Sequence, residues 1–133
     1  MDEPVWIRPD VVLAIHRRQL AEHGGSDGLR DARLLDSSLN RARHLLAYGE
    51  PKPVLAALAA AYAYGIIRNH PFVDGNKRTA YVVCRTFLLL NGHDLDAPAA
   101  EKYTTFLKLA EGSLSAEELA EWIRRHLLEA DTH

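Results

Sequence analysis

The sequence predicts an all-α fold, a compact six-helix bundle, on the strength of three observations. Apolar residues recur at helical spacing, with no strand-like alternation along the chain. Glycine and proline gather in short clusters between those stretches, where they punctuate the helices. The 133 residues suffice for one core and not for two, so a single domain over residues 1–133 is expected.

Each element has a local reason. Pro9 suits a first helical turn, where its missing N–H is no loss, and Val12, Ile15 and Leu20 give that helix an apolar side up to His23. Gly24-Gly25 stops it and opens a loop to Gly28. A second helix is expected from about Asp31 to Tyr48, with Leu34, Leu35, Leu39, Leu45 and Leu46 turned inward. Pro51 and Pro53 then break the chain. Val54 to about Asn69 carries six alanines and reads as a central helix, since small side chains let neighbours approach closely. His70 to Gly75 interrupts it. The fourth helix, about Asn76 to Leu90, is apolar almost all round, which argues for burial on several sides. Asn91-Gly92 caps it. A fifth helix follows Pro98 to about Ala110. Ser115 with Glu118 forms a capping-box pattern that opens the sixth, whose Leu119, Trp122, Ile123 and Leu127 share a face.

Composition narrows the function classes. Sixteen basic against eighteen acidic residues leave a net charge of −2, so no global field points to nucleic acid or a membrane. A local basic pocket can still hide within that balance. A lone cysteine, Cys84, rules out an intrachain disulfide and a cysteine-built zinc site, and suits a buried small hydrophobe. The acidic start Met1-Asp2-Glu3-Pro4 lacks an apolar signal region, and no run of about 18 apolar residues exists. A cytoplasmic, reducing location is the expectation.

Seven histidines invite a metal reading, but no His-x-x-x-His or His-Glu-x-x-His spacing puts two ligands on one helical face. His16 reads as a packed residue; His23, His44, His93, His126 and His133 read as surface residues. The segment His70-Pro71-Phe72-Val73-Asp74-Gly75-Asn76-Lys77-Arg78-Thr79 stands apart. It gathers a base, a carboxylate, a glycine, an amide and two cations between two helices expected to be buried. The opening turn of the fourth helix leaves N–H groups unpaired at the positive end of its dipole. Gly75 lets an anion come close to that backbone, and Asn76, Lys77 and Arg78 add donors and charge, so a phosphate would be well held. Asp74 beside phosphates makes sense as an Mg²⁺ ligand. His70 at the other lip could take a proton from an attacking hydroxyl. Each residue alone also has a plainer role. Asp74 could cap a helix, Lys77 and Arg78 could be a solvated first turn, and His70 a helix-end cation.

The run His-x-Phe-x-Asp-Gly-Asn-Lys-Arg resembles the signature of the Fic/Doc superfamily, in its Doc (death-on-curing toxin) branch. Ile15-His16 followed by Gly24-Gly25, the Gly28-Leu29-Arg30-Asp31 segment with Leu34-Leu35, and Phe87 to Gly92 are also similar, so the resemblance spans about residues 5 to 128. It implies that His70 activates a hydroxyl of a target protein, Phe72 anchors the loop in the core, and Asp74 holds Mg²⁺. Gly75 and Asn76 would line the anion hole, with Lys77 and Arg78 on the phosphates of ATP. The loop Tyr48 to Pro53 would dock the target. By the same resemblance the chain is the toxin of a toxin–antitoxin module, modifying a Tu-type elongation factor and held by an antitoxin of Phd type whose C-terminal helix fills a groove. A self-inhibiting Ser/Thr-x-x-x-Glu-Gly/Asn motif is absent. Leu107 stands at the needed spacing before Glu111-Gly112, and Glu118 follows Ser113…Glu117.

Which group is transferred turns on Lys77. The nucleotidylating Fic pattern has glycine there, leaving room for the α- and β-phosphates to lie deep. Lys77 fills that space, so a reversed register with the γ-phosphate near His70, and hence phosphoryl transfer, is expected. AMP transfer stays the alternative, because Gly75 keeps the hole permissive where a Doc toxin can carry alanine. A catalytically silent binding member is the reading from another class.

Overall fold

The computed structural model describes residues 3–129, so the expectation for His133 lies outside the described residues. Six helices are found there: α1 Pro9–His23, α2 Ala32–Tyr48, α3 Leu55–Asn69, α4 Asn76–Leu90, α5 Ala99–Glu111 and α6 Ala116–Arg125. Their ends follow the local chemistry. Pro9 opens α1, Asp31 accepts from Arg33 N–H to cap α2, and Ser115 with Glu118 closes a complete capping box on α6.

α3 is the axle. Eleven of its fifteen residues are buried, and α2, α4 and α6 pack around it. Small residues make this possible. A Cβ placed on Gly65 would lie 2.7 Å from the Ser38 backbone oxygen, so α2 and α3 touch backbone to backbone there. Ser38 Oγ sits 3.0 Å from Gly65 O and accepts from Asn69 Nδ2 at 3.1 Å, pinning the end of α3 to α2 one residue before His70. Tyr62, Phe72, Phe87, Leu58 and Ile66 are the largest side chains enclosed around the axle.

Two expectations are corrected. A short antiparallel pair exists after all: β1 His93–Leu95 bonds β2 Leu127–Glu129, with Asp94 opposite Leu128. Strands of three residues are too short to leave an alternating pattern. Leu127 therefore belongs to β2 and not to α6, which ends at Arg125. The fourth helix is buried on several sides, as expected, packing against α1, α3, α5 and β1. Leu89 and Leu90, at its last turn, are exposed. Leu34, Leu45 and Leu46 of α2 are half-buried, whereas Leu35 and Leu39 reach the core. Among the described residues no helix is long and apolar enough to cross a membrane.

Candidate functional site

The turn between α3 and α4 is held from three directions. His70 caps α3 in the left-handed region (φ 48°, ψ 60°), a conformation that costs an L-residue roughly 1–2 kcal/mol. Arg30 holds it there. Its Nε donates to His70 O at 2.8 Å and its Nη2 to Asn69 O at 2.7 Å, satisfying carbonyls at the end of α3. The chain around Leu29 runs antiparallel to Phe72, with Val73 N–H donating to Gly28 O and Arg30 N–H to Pro71 O. From below, the buried Phe72 ring stacks on His16 at 3.8 Å between centroids, and His16 Nε2 donates to Asp74 O at 2.8 Å.

Asn76 closes the turn from inside. It is 7% exposed; its Oδ1 accepts from Phe72 N–H and its Nδ2 donates to Phe72 O. Those two bonds fix which end of the amide is nitrogen, so Nδ2 also donates to His70 Nδ1 at 3.3 Å. In that arrangement the neutral ring carries its proton on Nε2. The side-chain donors of Asn76 are thus spent within the turn, so any part it takes in an anion site falls to its backbone N–H.

The backbone supplies the hole instead. Gly75 precedes α4 at φ 78°, a left-handed conformation that suits glycine, and the first helical bond runs from Thr79 N–H to Gly75 O. The N–H groups of Asn76, Lys77 and Arg78 have no acceptor among the described residues. Three free donors after a left-handed glycine form an anion-binding nest at a helix N-terminus. Asp74, at its rim, is exposed. Its Oδ2 accepts from Ser26 N–H at 3.1 Å and its Oδ1 from Gly75 N–H at 2.8 Å, and these bonds hold its carboxyl below the usual range. It is ionised at neutral pH, with lone pairs left on both oxygens.

Residues 6–88 match the model of the Fic/DOC family. The chain is 31% identical over 120 residues to "Protein kinase doc" of Escherichia phage P1, covering 90% of this chain and 93% of that one. It is 42% identical over 74 residues to "Toxin Doc" of Mycolicibacterium smegmatis, covering 56% of this chain and 57% of the other. The chain belongs to the Fic/DOC family.

Within this Fic/DOC chain, His70, Asp74, Gly75, Lys77 and Arg78 surround one helix start, as the motif's contiguity requires. His16 is the packed histidine expected, buried on Phe72. Of the histidines expected at the surface, His23 and His44 are exposed, whereas His93 and His126 are half-buried and bonded to backbone carbonyls. Sequence reasoning missed Arg30 and Ser38 as positioning residues. They act on the turn across 40 and 27 residues of chain, and only the resemblance of the Gly28–Asp31 segment hinted at the first.

His70 opens into a cleft of about 520 Å³, lined by Tyr64, Arg68 and the turn joining α5 to α6. An apolar cleft of about 580 Å³ adjoins it between α2, α3 and α6, with Leu45, Val54, Ala57 and Ala120 on its walls. The two share Arg41, whose guanidinium lies 4.5 Å from the Tyr64 ring centre, together with Ala116 and Glu117. A groove therefore leads along α3 to His70, and Tyr48 stands exposed at its far end.

For ATP the donor set fits: three free N–H groups, Lys77 and Arg78. For Mg²⁺, no cluster of three metal-ligating side chains exists among the described residues. One ionised carboxylate suffices where phosphate oxygens and water complete the shell, and Asp74 is that carboxylate.

Proposed function

We propose that this chain is a Doc-type toxin that phosphorylates a hydroxyl side chain of a target protein, with ATP as donor. The observation that carries the reading is the nest of free N–H groups at Asn76–Arg78 with the Lys77 side chain rooted in it and His70 at its lip. Lys77 and Arg78 bind the phosphates, and fixed donors of this kind lower the barrier by neutralising charge without reorganising. Asp74 would hold Mg²⁺, which screens phosphate charge and orients its oxygens. His70 accepts the hydroxyl proton while the hydroxyl oxygen bonds to the γ-phosphorus and the bond to the leaving ADP breaks. Taking that proton at Nδ1 displaces the Asn76 amide, and taking it at Nε2 needs the other tautomer. Either route gives up only the long 3.3 Å contact, a weak bond.

The name of the phage P1 relative supports kinase chemistry, and Lys77 supports a register with the γ-phosphate at His70. The target is a Tu-type elongation factor, docked beside the Tyr48–Pro53 loop. An antitoxin of Phd type lays an amphipathic helix in the groove along α3, whose apolar walls suit that occupant. The protein acts in the cytoplasm, and neither nucleic acid nor membrane takes part.

ATP labelled separately at its α and γ positions, given to purified chain and elongation factor with Mg²⁺, tests this. Label arriving from the γ position alone is expected; label from the α position overturns it in favour of AMP transfer. If wild type arrests growth no more than His70→Ala does, the enzyme reading falls to the silent-member one. A co-purified antitoxin complex retaining full transferase activity overturns inhibition through the groove.

A further inference from the structure

A second cleft, of about 540 Å³, lies between α1, α4 and α5 on the side of the helix start where Lys77 and Arg78 emerge. Its volume is that of a small-molecule site. Besides those two cations it presents Gln19 from α1, Tyr81 from α4, and Lys102 and Tyr103 from α5. The motif accounts for Lys77 and Arg78 and for nothing else in it.

Gln19 is the unexplained group. Its stem is buried, its amide lines the cleft where solvent still reaches it, and it has no hydrogen-bond partner among the described residues. An amide held in a cleft wall without a protein partner is free to pair with a ligand offering one donor and one acceptor. Adenine offers that pair along its N6/N7 edge, whereas guanine presents two acceptors there. Tyr103 supplies a flat surface. It is 62% exposed, and its ring is covered by Lys77 Nζ at 5.5 Å from the centroid, as Tyr81 is by Lys102 Nζ at 5.9 Å. Phosphates at the start of α4 would draw Lys77 off the ring and free its face for a base.

Helix α5 relates the two clefts. Its C-terminal residues Leu109 to Glu111 border the His70 cleft, and Tyr103 stands eight residues upstream, about 12 Å along the axis. An extended triphosphate and ribose bridge a gap of that order.

We propose that the cleft between α1, α4 and α5 seats the adenosine of ATP, with the Gln19 amide paired to the base edge and Tyr103 stacked on its face. The inference rests on the kinase reading and deepens it. It makes Gln19 the residue that selects ATP over GTP, and it runs the phosphates from Lys77 and Arg78 toward His70, last phosphate first.

Calorimetric titration of the whole chain with ATP, GTP and inorganic tripolyphosphate, each with Mg²⁺, tests it without turnover. Wild type is expected to prefer ATP. Gln19→Leu keeps the buried volume and should weaken ATP about tenfold, the scale of one bidentate amide–base pair, leaving GTP and tripolyphosphate unchanged. Tyr103→Ser, at an exposed position that should not disturb folding, should weaken both nucleotides and spare tripolyphosphate. Wild-type binding of ATP that neither variant alters would overturn the adenosine site and leave the kinase reading standing. Failure of wild type to bind ATP at all would overturn both. Loss of tripolyphosphate binding in either variant would show a structural role for that residue and overturn its assignment.

Discussion

The two halves of the motif are built in opposite ways. From His70 to Asn76 the turn is pinned at nearly every group. Phe72 lies in the core against His16, Asn76 clasps Phe72, Arg30 holds the end of α3, and Asp74 takes two backbone N–H groups. Lys77 and Arg78 instead line an open cleft, and the ammonium of Lys77 rests on an aromatic ring, without a carboxylate partner among the described residues. The first half is built to hold its shape, and the second half leaves its charges available to a ligand. Stability and ligand affinity should therefore separate cleanly between residues that are neighbours in sequence.

The largest effect should come from the pinned half. Phe72 is 1% exposed and carries the stack with His16, so Phe72→Ala is expected to destabilise by about 3–5 kcal/mol, measured by chemical denaturation. Asn76→Ala should follow at about 1–3 kcal/mol, because it leaves the buried N–H and C=O of Phe72 unpaired. It also releases His70 Nδ1, so its transferase rate should fall further than its stability explains. Asn76→Ala with unchanged stability would mean that the clasp contributes nothing and that the two halves are not differently built.

The open half should answer in reverse. Arg78 is exposed and belongs to no ion pair among the described residues, so Arg78→Ala should change stability by no more than about 0.5 kcal/mol. Tripolyphosphate binding should nevertheless weaken severalfold. A variant that unfolds more easily while binding normally would erase the contrast.

This division also explains what was legible in the sequence. Helix boundaries were legible because Pro9, Asp31, Ser115 and Glu118 act within a turn of their own position. The motif was legible because its members are contiguous. Arg30 and Ser38 were not, since their partners lie 40 and 27 residues away and an arginine or serine carries no periodic signal. Gln19 gave no signal for a related reason, as a polar residue on α1 reads as solvated until α1 packs on α4. The clasp of Asn76 was not legible either, because residue type suggests a donor to a ligand, whereas its geometry spends both ends of the amide on Phe72.

The smallest effect tests the rim where the two halves meet. Asp74 is fully exposed, so its hydrogen bonds to Ser26 and Gly75 should matter locally and not globally. Its carboxyl is held below the usual range, chiefly by the Ser26 N–H and then by that of Gly75. A depressed carboxylate stabilises the folded form above its unfolded pKa, and that contribution is lost as pH falls through the folded value. The Ser26 and Gly75 amides should therefore stay protected from hydrogen exchange at neutral pH and lose protection only below about pH 4, under the ordinary aspartate value. Helix α3 should keep its protection across the same range, since the Ser38 and Gly65 contact involves no titrating group. In Asp74→Asn the amide oxygen can serve one of the two N–H groups but not both. That variant should show a Ser26 amide that exchanges at every pH, with no acid step. If the acid step survives the substitution, another group titrates there, and the rim is not held by Asp74.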